Sequence, residues 1–161
     1  MGLFGKKKEQ LPPEVERQDF ADAISGAPSD EMKYLNYGRD ELAYLEDYFG
    51  ENIPNDETVL AIASSCYPTA RVSFGIIATT SKRIIAAIGS EHKNGQLVGN
   101  PRLYEFPIAH VSVETQPWGT GGYLATFEVT RQSPIQLQVA NDMGWGRRFF
   151  DTVNRQITAT L

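Results

Sequence analysis

The stretch 75-GIIATTSKRIIAAIGS-90 decides how the rest of the chain is read. Two apolar runs, each too short for an ordinary helix and rich in isoleucine, flank the polar punctuation Thr79-Thr80-Ser81-Lys82-Arg83. That pattern is a β-hairpin with its turn at Thr80, Ser81 and Lys82.

Working outward, strand-like runs bounded by Gly, Pro, Asn and Ser recur on both sides. Together they predict strands at 57–66, 71–80, 82–90, 102–106, 108–116, 122–130 and 134–140. In the later strands the alternation is open to view: Ala125, Phe127 and Val129 oppose Leu124, Thr126, Glu128 and Thr130, and Ile135, Leu137 and Val139 oppose Gln136 and Gln138. One dry and one wet face per strand predict an antiparallel sheet backed by solvent, and the short connections favour successive hairpins. The segment "SEHKNGQLVGNP" reads as a long loop, and "GTGG" at 119–122 as a hairpin turn with Trp118 near its tip.

After residue 140 the period changes. Trp145, Phe149, Val153 and Ile157 recur every fourth residue, the stripe of an amphipathic helix that Asn141 or Asp142 would cap. Arg147, Arg148, Asp151 and Arg155 fall off the stripe. Gly144 and Gly146 weaken the first turn, which leaves the packing of Trp145 to hold it.

Upstream of 57 the composition is different. Residues 1–10 form a basic tail, and 11–56 form an acidic segment with predicted helices at 12–25 and 40–49 around a Pro28 linker. In the second of these, Asp40 serves as cap, and Leu42, Leu45 and Phe49 share one stripe. Residues 11–58 carry thirteen acids against Arg17, Lys33 and Arg39, a net −10, whereas 59–161 carry nine basic and six acidic side chains, a net +3. The domain organisation expected is therefore tail, acidic helical segment, and a β-rich body over 57–161.

Seven antiparallel strands closed by one amphipathic helix resemble the pleckstrin-homology (PH)-like fold, in particular the short bacterial PH-like domains. The resemblance is carried by "DETVLAIASSC", "GIIATTSKRIIAAIG", "LYEFPIAHVSVE" and "FFDTVNRQI", and covers about two thirds of the chain. It implies a partly open β-barrel whose closing helix plugs one corner. PH-like folds serve lipid, peptide and protein recognition, so the fold names no ligand. Phosphoinositide-binding members use a basic cluster between their first two strands; here that loop is "YPTAR", with Arg71 as its one basic residue. The departure argues against specific phosphoinositide binding.

Enzymatic signals are sparse. His92 is placed in the long loop, His110 in a strand beside Val111 and Val113, and Cys66 in the first strand; their spacing forms no metal-ligand or nucleophile motif. No enzyme activity, metal or cofactor is expected. A sequence pI near 5.0 without a basic stripe argues against nucleic acid as a partner. Arg71, Lys82, Arg83, Lys93 and Arg102 fall at strand ends and loops, and form a candidate anion or partner rim at the barrel mouth. Leu3, Phe4, Lys6, Lys7 and Lys8 form a candidate membrane contact.

No apolar run reaches the roughly 18 residues of a membrane-spanning helix, and the first ten residues lack the charge order of a secretory signal. A cytoplasmic protein is expected, at most peripheral to the inner face of the membrane. Two functions compete: a non-enzymatic module binding a protein or peptide partner, or a module resting on anionic lipid. Homo-oligomerisation through an open sheet edge is a further expectation.

Overall fold

The computed structural model describes Asp19, Asp22 and Ala23 together with residues 52–69, 73–89, 91–93, 96–98, 101–119, 121–141 and 144–161. The expected tail, the linker, the helix at 40–49 and most of the helix at 12–25 lie outside the described residues. Among the described residues, no helix is long and apolar enough to cross a membrane.

Nine strands are described: β1 (Val59–Cys66), β2 (Phe74–Thr80), β3 (Arg83–Gly89), β4 (Glu91–Lys93), β5 (Gln96–Val98), β6 (Arg102–Pro107), β7 (Val111–Trp118), β8 (Gly122–Val129) and β9 (Ile135–Val139). The closing helix α1 runs Trp145–Ala159. Seven strands make one antiparallel sheet in the order β6-β3-β2-β1-β9-β8-β7, and β4 and β5 pair separately. This is the PH-like architecture. The β4–β5 hairpin is the addition: a long loop was expected there, but three-residue strands are too short to display an alternation.

The sheet bends over on itself, so that Phe106 of β6 stacks on Phe127 of β8 with ring centres 4.8 Å apart. That contact identifies the inward face. From the pairings Ile84↔Phe106, Thr79↔Ile84 and Ala61↔Thr79, the inward set in the first half of the sheet includes Ala61, Ala63, Ile77, Thr79, Ile84 and Ala86. In the second half Leu137 and Val139 face inward with Ala125 and Phe127, their partners or neighbours in register. Close approach of β2 to β3 requires Gly75, where a Cβ would lie 2.3 Å from the Ala87 carbonyl oxygen.

β1 pairs with β9 only at Ser65↔Val139 and Cys66↔Gln138, which leaves a corner open beside the earlier part of β1. Helix α1 packs chiefly on β1 and fills it. Trp145, Phe149, Phe150 and Val153 are buried, with Phe149 and Phe150 edge to face at 5.0 Å and Phe150 edge to face with Tyr123 at 5.3 Å. Near its other end Gln156 clamps the helix to β2: it accepts from the Thr79 hydroxyl and donates to the Thr80 carbonyl, each at 2.6 Å.

The helix start corrects the expectation that two glycines merely weaken it. Gly144, the N-cap, has φ 78°, a left-handed conformation that glycine adopts freely. At Gly146 a Cβ would lie 2.4 Å from the Ala140 carbonyl oxygen, so glycine is what lets the helix press against the end of β9. Asn141 does supply side-chain capping, from three residues before the N-cap, by accepting the Arg147 backbone N–H at 2.7 Å.

The expected solvent backing holds for only half the sheet. On the outward face of β1, β2 and β3, Ile62 is 2% exposed and Ile76, Ala78, Ile85 and Ala87 are 0% exposed. These strands are dry on both faces, and their near-continuous apolar runs are the sequence signature of that state. The outward face of β7, β8 and β9 is wet at Ser112, Glu114, Glu128 and Gln136, while Leu124, near the junction with β1, is buried.

Candidate functional site

The register separates three of the five basic residues expected to form one rim, Lys82 and Arg83 from Arg102. Arg83 stands opposite Pro107 and Ile88 opposite Arg102, so Arg83 and Arg102 lie five strand positions apart, roughly 16 Å along the pair. Lys82 and Arg83 are therefore at the β2–β3 turn, and Arg102 is at the opposite end. The backbone of Lys93 ends β4, on the Arg102 side; Arg71 lies outside the described residues. The candidate membrane contacts Leu3, Phe4, Lys6, Lys7 and Lys8 also lie outside them.

Arg83 is committed to the protein itself. Its Nε bonds Glu57 Oε2 at 2.9 Å, its other nitrogens bond Glu105 and the Asn52 carbonyl, and Glu57 in turn accepts from the Thr80 hydroxyl. Burial opposes the charge, and the hydrogen bonds to Glu57 and Glu105 outweigh it, so the pKa of Arg83 is raised above its ordinary value. With Glu57 3% exposed, this is a buried structural ion pair, poorly placed to receive an external anion. Lys82 is exposed and 3.9 Å from Asp56.

At the other end the structure assembles a group that sequence reading did not single out. Tyr67, just after β1, and Tyr104 of β6 share a hydrogen bond between hydroxyls at 2.6 Å, their rings edge to face. The Arg102 guanidinium lies 5.3 Å from the Tyr104 ring centre. The Tyr67 backbone N–H donates to the Ser73 hydroxyl at 2.9 Å, which ties the β1–β2 loop closed beneath them. Burial first, and then the Tyr104 hydroxyl, push the Tyr67 pKa up to about 12, with Arg102 acting in the opposite direction. A phenol held neutral in this way offers hydrogen bonds, and it is unsuited to act as base or nucleophile near neutral pH. Tyr67 and Tyr104 are 37 positions apart, a separation at which no periodicity could have paired them.

Cys66 is half-buried at the end of β1, its thiol 3.6 Å from Gln138 Oε1, and burial pushes its pKa up, away from the reactive thiolate. His110 is an exposed residue of the β6–β7 turn, its backbone N–H donating to the Pro107 carbonyl; the expected strand starts one residue later. The backbone of His92 lies in β4. Among the described residues, no three His, Cys, Asp or Glu side chains are grouped to hold a metal ion.

Among the described residues the sheet also has two edges, β6 and β7. β7 is the longer, with eight residues, and all of it but Val111 and Val113 is exposed, including Trp118 at its end. Pro117, which has no N–H to donate, fits an edge position whose nitrogen faces away from β8. By alternation the nitrogens of Thr115 and Val113 face the same way, outward from the sheet.

No protein-family model and no curated protein matches the chain. Among the solved structures that resemble it in part are the following two. The hSac2 domain of the human phosphoinositide phosphatase Sac2 is 12% identical at a TM-score of 0.45, covering 72% of this chain and 77% of that one. A DUF1696 family protein with a pleckstrin-homology domain from Shewanella loihica is 14% identical at a TM-score of 0.42, covering 73% and 91%.

Proposed function

We propose that this chain is a non-enzymatic, cytoplasmic PH-like module of the bacterial kind, which binds an extended peptide or protein segment along the β7 edge. The observation that carries the reading is the edge itself: an eight-residue, largely exposed strand with one ladder partner among the described residues, β8. An added strand would take its affinity from the outward backbone groups, and its selectivity from side chains at alternate positions. Pro117 limits the usable edge to Val111–Gln116, as a guard against indiscriminate pairing would.

The test uses that same alternation. In Thr115→Pro, the lost N–H is one that faces away from β8, so the native ladder is retained while a donor to the added strand disappears. Extended peptides selected from a displayed library on the wild-type chain should shift the backbone amide NMR signals of β7 and bind Thr115→Pro at least tenfold more weakly. Shifts confined to the Tyr67, Tyr104 and Arg102 end, with unaltered binding by the variant, would overturn the edge reading. Signals that broaden with protein concentration alone would instead identify a second copy as the edge partner.

A second reading rests on Arg102, which is exposed beside the Tyr67–Tyr104 pair and free of an acidic partner among the described residues. Together with the tail lysines Lys6, Lys7 and Lys8 it would serve weak contact with anionic lipid. Co-sedimentation with phosphatidylserine vesicles that is lost on raising salt supports it, since such contacts are screened. No sedimentation at low salt rejects it.

A further inference from the structure

At its Val111 end the β7 edge meets a hollow of about 490 Å³, lined by residues 109–112 and 128–132. The first set is the β6–β7 turn and the start of β7; the second is the end of β8 and the turn that follows. Arg131 and Glu128 bring the charges, Glu128 standing opposite Ser112 in register, and His110 adds a ring from the facing turn. All four side chains are exposed, and neither Arg131 nor Glu128 has an ion-pair partner among the described residues. A hollow with one unpaired cation and one unpaired anion suits a ligand that carries both opposite charges.

The backbone at Arg131 points the same way. Its turn is closed by the Gln132 N–H donating to the Val129 carbonyl at 3.0 Å, and Arg131, third in that turn, has φ 70°. This left-handed conformation favours glycine or asparagine, and among the described residues Arg131 is the one non-glycine residue that adopts it. Glycine would reverse the chain there without strain, so an arginine implies a task for its side chain.

The direction of pairing says what arrives at the hollow. Every pairing in the sheet is antiparallel, the more stable kind per residue, and a strand added to β7 in that sense runs from Gln116 towards Val111. Its carboxyl end therefore comes to the hollow, while Pro117 bounds the other end of the edge. Such a strand lies two strand spacings, about 10 Å, from β8, a gap that long side chains bridge from both sides.

We propose, resting on the edge reading above, that the hollow captures the free C-terminus of the bound segment. Arg131 takes the terminal carboxylate, and Glu128 selects lysine or arginine as the last residue.

The experiment selects hexapeptides with free C-termini from a random displayed library on the full chain, then compares each synthetic peptide with its C-terminal amide. The selected peptides should end in lysine or arginine, and amidation should weaken them about tenfold. Arg131→Gly, which keeps the turn because glycine adopts φ 70° freely, should abolish the difference between acid and amide. Glu128→Gln should weaken peptides ending in lysine or arginine severalfold and leave their alanine-ended versions unchanged. Equal binding of acid and amide, lost in Thr115→Pro, overturns terminal capture and leaves the edge reading standing. Binding that needs the carboxylate yet is unaltered in Thr115→Pro overturns both, since the carboxylate is then held without the added strand. Failure to select any peptide likewise overturns both.

Discussion

The two halves of the sheet share strand geometry and antiparallel pairing, yet they meet solvent differently. β1, β2 and β3 are apolar on both faces; β7, β8 and β9 carry Ser112, Glu114, Glu128 and Gln136 to water on their outer side. A strand that alternates is informative about one neighbouring layer, and a strand that does not alternate implies two. The run "RIIAAIG", buried throughout after Arg83, is therefore a statement about both faces of its strand at once.

The largest effect should appear where the halves part. Trp145→Ala, at the corner that α1 fills, should cost about 3 to 5 kcal/mol in chemical denaturation, because the helix start loses its anchor in the core. A loss below about 1 kcal/mol would mean that the corner is held by other contacts.

The next effect compares the outer faces directly. Ile85→Ala should cost about 2 to 4 kcal/mol, whereas Gln136→Ala, which removes an exposed 3.2 Å hydrogen bond to Thr126, should stay within about 0.5 kcal/mol. Equal costs at the two positions would erase the distinction between the halves.

The smallest effect concerns the tyrosine pair. In the folded state Tyr67 should ionise near pH 12, observable by tyrosinate absorbance, and Tyr104→Phe should lower that pKa by removing the shared hydrogen bond. The sign for stability follows from the raised pKa. The contribution is fully present below the unfolded value of about 10 and is lost as pH rises through about 12. A Tyr67 titration near 10 in the folded protein would show that the pair is not maintained.

Much of the fold was readable along the chain. All seven main strands, the turn after Thr80, the Trp145 to Ile157 stripe and the position of Trp118 follow from patterns that complete themselves within about ten residues, since a strand displays period two and a helix period 3.6. The short β4–β5 hairpin escaped for the same reason, having too few residues to show a period. The site was less readable. Five basic residues spaced along the sequence suggest a rim, but only the pairing register tells that Arg83 and Arg102 stand at opposite ends of β3 and β6.

By itself, then, the sequence determined the strands, the closing helix and the charge division between the acidic segment and the basic body, because local stereochemistry and side-chain polarity act at short range. The tertiary structure alone decided the burial of Glu57 with Arg83, the meeting of Tyr67 with Tyr104, and the need for glycine at 75 and 146. Each of these depends on groups that share a few ångströms of space while separated by many residues or by a change of strand, and such proximity is a property of packing that no local period encodes.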